Sequence, residues 1–202
     1  MNTFAGCSAI YRLTRTLVYT LAVSAMCLVI ITVHADDNVR PAIKPRAAAT
    51  ITPWPWSNNF PENDHRFDCA DGVMIGRAHD KDEKGDTRYR CGEVHQFDKL
   101  VPADRTWSGS MEESDHSYEC PQNQVMTGRY HYGDENGSTQ YQCAVVRDAW
   151  ANVMNIVPGE WIFWGVEPAT RFQCEDNEVM VARRHKGDET HGLTYYKCAV
   201  MW

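Results

Sequence analysis

The 202-residue chain contains no CxxC pair, no GxSxG and no HExxH. The first absence argues against a zinc ribbon or a thioredoxin-like site. The other two remove the familiar serine-hydrolase and zinc-protease signatures. Basic charge is scarce as well: 20 Lys and Arg face 27 Asp and Glu, for a net charge of −7. Binding a phosphate backbone needs clustered Lys and Arg, so nucleic acid is not the expected partner. Beyond the first 35 residues no long stretch keeps a 3.6-residue apolar period, so helix is not supported. Hydrophobic content is 43 %, which rules out global disorder. What the chain has in excess is cysteine, with eight.

Arg12 and Arg15 precede an uncharged run from Leu17 to Val33, and Ala35 then meets Asp36-Asp37. A basic start, an apolar run and small residues at a polar boundary describe a secretory signal, residues 1–35. The alternative is an uncleaved anchor, but seventeen residues are short for a spanning helix. With the leader removed, no stable membrane insertion is expected. Arg12 and Arg15 leave and no acid goes with them, so the charge falls from −7 to −9. Residues 36–53 (DDNVRPAIKPRAAATITP) read as a flexible leader or linker. Cys7 and Cys27 also go, and the six remaining cysteines in an exported chain read as disulfides.

Residues 54–202 are three copies of one unit, about 54–100, 101–150 and 151–202. The cysteines fall in pairs: Cys69 and Cys91, Cys120 and Cys143, Cys174 and Cys198, spaced 22, 23 and 24 apart. Each copy reads aromatic-x-C, VMx[GA]RxH, DE, a Gly turn and TxYxC, with Trp56, Trp107 or Trp161 thirteen residues before the first cysteine. TxYxC alternates with period two, which places Thr139, Tyr141, Cys143 and Val145 on one strand face and Gln140 and Gln142 on the other. VMx[GA]RxH is the second strand, and Asn136-Gly137 is a hairpin turn signal. Each copy is therefore a β-hairpin, with pairing inside the copy inferred from the repeat. Six cysteines allow fifteen connectivities, and the others stay open. Each such loop would contribute about 3 kcal/mol. With four strands per copy, the expected fold is all-β, a single three-fold pseudo-symmetric body of the β-trefoil or β-prism kind, because one hairpin cannot bury its apolar face alone. Three hairpin modules in a row are the alternative.

At these cores, particularly CPQNQVMTGRYHYGDENGSTQYQC from Cys120 to Cys143, the chain resembles the dermatopontin-like secreted proteins. Asp104-Arg105-Thr106-Trp107 is similar to their DRxW signature, although here it precedes the first cysteine of a pair. The resemblance covers about half of the mature chain. It implies an extracellular role in adhesion or agglutination through glycans or matrix, without catalysis.

The recurring polar group is RxHxxDE: Arg77, His79, Asp82 and Glu83; Arg129, His131, Asp134 and Glu135; Arg183, His185, Asp188 and Glu189. One reading is internal, with each Arg paired to the loop acids and each His capping its hairpin. The other is a polar pocket per copy for a sugar: a guanidinium fork, carboxylates that accept hydroxyl protons, and an aromatic face from Trp56, Trp107, Trp161, Tyr89, Tyr141 or Tyr196. Three weak sites on one body would add avidity. Ca2+ at the paired acids is the metal to weigh, and Zn2+ on converging histidines is a second, but neither has the spacing of a known loop. No cofactor is expected. His65 and His116, in DHx[FY]xC, are expected to be exposed beside a strand; copy three has Thr170 there. The leading function is a secreted, non-catalytic binder of glycans or cell-surface material, with periplasm or cell surface as other destinations. A structural or protein-interaction module (a toxin accessory subunit, an inhibitor or an envelope protein) and a secreted hydrolase are the alternatives.

Overall fold

The computed structural model describes residues 47–81, 85–134, 136–166, 169–188 and 191–202. The signal sequence read at residues 1–35 lies outside them, as do Asp82, Glu83, Glu135 and Glu189. The chain is all-β, and no helix occurs among the described residues. The first copy contributes β1 (Thr50–Trp56), β2 (Phe60–Pro61), β3 (Asp64–Asp68), β4 (Val73–Asp80), β5 (Asp86–Gln96) and β6 (Asp98–Leu100). The second contributes β7 (Pro102–Trp107), β8 (Met111–Glu112), β9 (Asp115–Glu119), β10 (Gln124–Tyr132) and β11 (Ser138–Val146). The third contributes β12 (Ile156–Val166), β13 (Ala169–Gln173), β14 (Val179–Lys186) and β15 (Leu193–Met201).

These strands form three antiparallel sheets, ordered β1-β5-β4-β13, β3-β10-β11-β7 and β12-β15-β14-β9. Each sheet holds one hairpin and the Trp-bearing strand of its own copy, and takes its fourth strand from another copy. Strand β3 of the first copy pairs with β10 of the second. Strand β9 of the second pairs with β14 of the third, and β13 of the third returns to pair with β4 of the first. The sequence foresees four strands per copy but not this exchange. The hairpin strands β4, β10 and β14 touch one another pairwise, so the three sheets meet along them.

Two details of the sequence permit the exchange. Each receiving strand has a bulge at the same place, between Met74 and Gly76, Met126 and Gly128, and Met180 and Ala182. The bulged carbonyl accepts the amide of the first cysteine of the copy that donates the strand: Cys69 on Thr127, Cys120 on Val181 and Cys174 on Ile75. Gly128 lets the exchanged strand come close, since a Cβ there would stand 2.6 Å from the Phe67 carbonyl oxygen. Bulges of this kind re-aim side chains and end regular pairing.

The core has two parts. One is aliphatic, built from Val73, Ile75, Val125, Val179, Val181, Val94, Val146 and neighbours drawn from all three sheets. The other gathers the disulfides with Met74, Met126, Met180, Tyr89, Tyr141, Tyr196 and Phe172. Disulfides join Cys69–Cys91, Cys120–Cys143 and Cys174–Cys198, the pairing inferred from the spacing.

Two local expectations are corrected. Strand β1 begins at Thr50, inside the segment read as linker, because Ile51 is buried opposite Val94 and the Ala49 amide bonds the Met201 carbonyl at 2.8 Å. Val145 does not share the buried face of Tyr141 and Cys143: the register shifts after Cys143 and Val146 takes the buried place. Gln142 is buried, its Oε1 accepting the Thr127 hydroxyl at 2.8 Å.

Candidate functional site

Arg77, Arg129 and Arg183 lie one on each of β4, β10 and β14, and each is only 1 % exposed. His79, His131 and His185 follow two residues later on the same strands and are likewise buried. Where the three sheets meet, strand alternation sends these six side chains inward. They do not line an open surface.

Among the described residues, the acids that meet the arginines are Glu62 and Glu113, which stand outside the hairpin loops. Glu62 accepts Arg77 Nη2 at 3.0 Å and Arg129 Nη1 at 2.7 Å. Glu113 meets Arg129 Nη2 at 3.0 Å and accepts Arg183 Nη1 at 2.7 Å. Each carboxylate thus ties together two neighbouring sheets. His79 Nδ1 stands 3.5 Å from Glu62 Oε2, and His131 Nδ1 stands 3.6 Å from Glu113 Oε2. The two described loop acids each bond within their turn: Asp134 is exposed and accepts the Asn136 amide, and exposed Asp188 accepts the His191 amide. Gly133 and Gly187, at φ of 103° and 113°, make these turns in a region that other residues rarely enter.

Glu62 and Glu113 escaped the sequence reading. A signal was available, since each stands two residues before the Asp of DHx[FY]xC, in ENDH and ESDH. Glu167 holds the same offset in copy three and lies outside the described residues.

His65 and His116 correct a further expectation, because they are 5 % exposed rather than surface residues. His65 shares hydrogen bonds with the Pro61 carbonyl through Nδ1 at 2.8 Å and with the Tyr89 hydroxyl through Nε2 at 2.5 Å. His116 does the same with the Glu113 carbonyl at 2.9 Å and the Tyr141 hydroxyl at 2.8 Å. Arg129 and Arg183 donate to those same hydroxyls at 3.2 and 2.9 Å.

The electrostatics follow from burial. Desolvation pushes the Glu62 and Glu113 carboxyls up, but their flanking arginines outweigh it and hold both well below the usual carboxylate range. Desolvation pushes His65, His116 and His131 down to about 4. Arg129 adds to this in all three, and Glu62 or Glu113 opposes it. At neutral pH the buried ion pairs stand beside neutral imidazoles at His65, His116 and His131. Among the described residues no group of three or more His, Cys, Asp or Glu is placed to hold a metal ion.

The open concavities lie elsewhere. A cleft of about 190 Å³ is walled by Trp54, Ser57, Phe67, Asp68, Tyr89 and the Cys69–Cys91 disulfide. The positions matching Trp54 in the other copies are Arg105 and Gly159, so this wall belongs to the first copy alone. The recurring tryptophans carry cations over their rings: Arg171 lies 5.0 Å above Trp56, Arg66 4.7 Å above Trp107 and Arg184 4.6 Å above Trp161.

Comparison with protein-family models, with curated proteins and with solved structures finds no match to this chain.

Proposed function

We propose that the chain is an exported β-prism-like body that binds glycans or cell-surface material without catalysis. The observation that carries this reading is the cleft of Trp54, Phe67, Asp68 and Ser57. It combines an aromatic wall for the apolar face of a sugar ring with a half-exposed carboxylate that can accept hydroxyl protons. The three disulfides fit an oxidising compartment, and with it the signal sequence read at the N-terminus. The buried arginines and histidines set the scaffold in this reading, and one cleft replaces three equivalent pockets. A glycan array on the mature chain tests it. Wild type is expected to select a subset of sugars, and Trp54→Ala and Asp68→Asn are expected to lose that selection while circular dichroism shows the fold retained. Wild-type binding that is flat across all sugars rejects the reading.

A second reading, a protein-interaction module, is favoured by an apolar surface on β12 and β15. Ile162, Phe163, Trp164, Val166 and Leu193 are each at least 38 % exposed there. Apolar surface of this kind is a feature of contact sites. Binding of cell-surface protein that is lost in Phe163→Ser but kept in Trp54→Ala selects this second reading.

A further inference from the structure

Where β3 meets β10, His65 lies opposite His131, and where β9 meets β14, His116 lies opposite His185. Where β13 closes the ring on β4, the residue opposite His79 is Thr170. In the first two places an imidazole spans the gap from a backbone carbonyl to a buried tyrosine hydroxyl. The third tyrosine is Tyr196, fully buried, with its ring stacked on Phe172 at 4.1 Å. Phe172 stands two residues after Thr170 on the same strand, as Phe67 stands after His65 beneath Tyr89. Thr170 therefore faces Tyr196 from the position that His65 holds toward Tyr89.

The threonine side chain is too short to reproduce the bridge. Among the described residues, Thr170 Oγ1 and the Tyr196 hydroxyl are both buried without a hydrogen-bond partner, and so is Nε2 of His79, the residue paired with Thr170. Leaving such groups unsatisfied is costly, and native interiors rarely tolerate it. An imidazole exceeds the threonine branch by roughly one water molecule's share of liquid volume, about 30 Å³. The shorter side chain thus falls at the same junction as the unpartnered atoms.

We propose that this junction is a built site for one neutral, hydrogen-bonding small molecule, a buried water, bridging Thr170 Oγ1 and the Tyr196 hydroxyl. It stands where the imidazole Nε2 stands in the other two copies. Each hydroxyl can both donate and accept, so the water has the two or more partners that a buried site requires. The His79 ring supplies a further group on the paired strand.

A high-resolution crystal structure of the wild-type chain is expected to show one ordered water within hydrogen-bond distance of both hydroxyls. In Thr170→His the imidazole takes its place, and the melting temperature rises by about 2–4 °C. A second measurement uses Thr170→Val and Tyr196→Phe. Each is expected to lower the melting temperature by about 2–4 °C, and the double variant to fall little further, because both bind one water. Fully additive losses overturn the proposal. So does a wild-type structure in which the two hydroxyls bond other protein groups, or a Thr170→His variant that melts lower than wild type.

Discussion

Replacing Glu113 by Gln keeps the shape of the side chain and removes one charge from the buried network. Glu113 is 2 % exposed and meets Arg129 at 3.0 Å and Arg183 at 2.7 Å, with His131 3.6 Å away. The wild-type charges were removed from water at a desolvation cost that their attraction offsets. With Gln, the cost of two buried guanidinium groups remains and half of the described compensation is gone. Breaking a buried pair in this way costs about 3–5 kcal/mol, a large share of the roughly 5–15 kcal/mol that holds a domain folded. Guanidinium chloride unfolding at pH 7, followed by tryptophan fluorescence, measures the loss. The neighbouring Glu112→Gln is the control: that side chain is exposed, and its change is expected to stay within about 0.5 kcal/mol. A Glu113→Gln loss of less than about 1 kcal/mol refutes the view that this carboxylate ties two sheets together.

Acid is expected to act on the same network. His65, His116 and His131 titrate near 4 in the folded chain against 6.5 when free, so the unfolded state binds more protons between those values. Their contribution is intact above 6.5 and is lost as pH falls toward 4, at roughly 3 kcal/mol per histidine taken singly. Glu62 and Glu113 have the same sign: their stabilisation holds above the ordinary carboxylate range and is lost as pH falls through their lower folded values. The denaturation midpoint, read by circular dichroism, should be flat from pH 8 to 7 and fall steeply below 6.5; a flat profile down to 4.5 contradicts the burial of neutral imidazole. The paired change Cys174→Ser with Cys198→Ser opens a disulfide of sequence separation 24 and should cost about 3 kcal/mol, measured by the same unfolding at pH 7. Unchanged stability would show that the bridge does not restrain the unfolded chain.

What could be read from residues alone was what repeats locally. The cysteine spacing and TxYxC alternation anticipate the disulfides and hairpins, because both depend on neighbours along one strand or across one turn. Position relative to other copies was not readable in this way. RxH looks the same whether it faces a pocket or an interior, and the difference lies in which sheet stands opposite. His65 reads as a polar residue beside a strand until β3 is seen to leave its own copy and place the ring between Tyr89 and Arg129. Glu62 and Glu113 stand in loops, where acids are usually solvated; their shared place before DHx[FY]xC shows that they recur, but not that they meet arginines 15 to 70 residues away. The bulge after Cys143 moved Val145 off the expected face for a related reason, since regular alternation cannot foretell an extra residue.

The exchange also explains why disulfides and ion pairs divide the work as they do. A strand donated to another sheet leaves its own hairpin without a fourth strand, so it is held at both ends by different means. Its C-terminal end stays covalently joined to its own sheet, through Cys69–Cys91, Cys120–Cys143 or Cys174–Cys198. In the first two copies its N-terminal side carries the glutamate that reaches one arginine of its own sheet and one of the sheet it joins. The disulfide limits how far the strand can wander before docking, and the ion pair selects the inward register at which Arg129 or Arg183 can be neutralised. A register slip of one residue in the donated strand would turn His65 or His116 to the other face and carry the glutamate away from those arginines. The buried charges thus specify which copies pair and in what alignment, while the aliphatic residues from Val73 to Val181 supply the non-directional burial that holds the three sheets together.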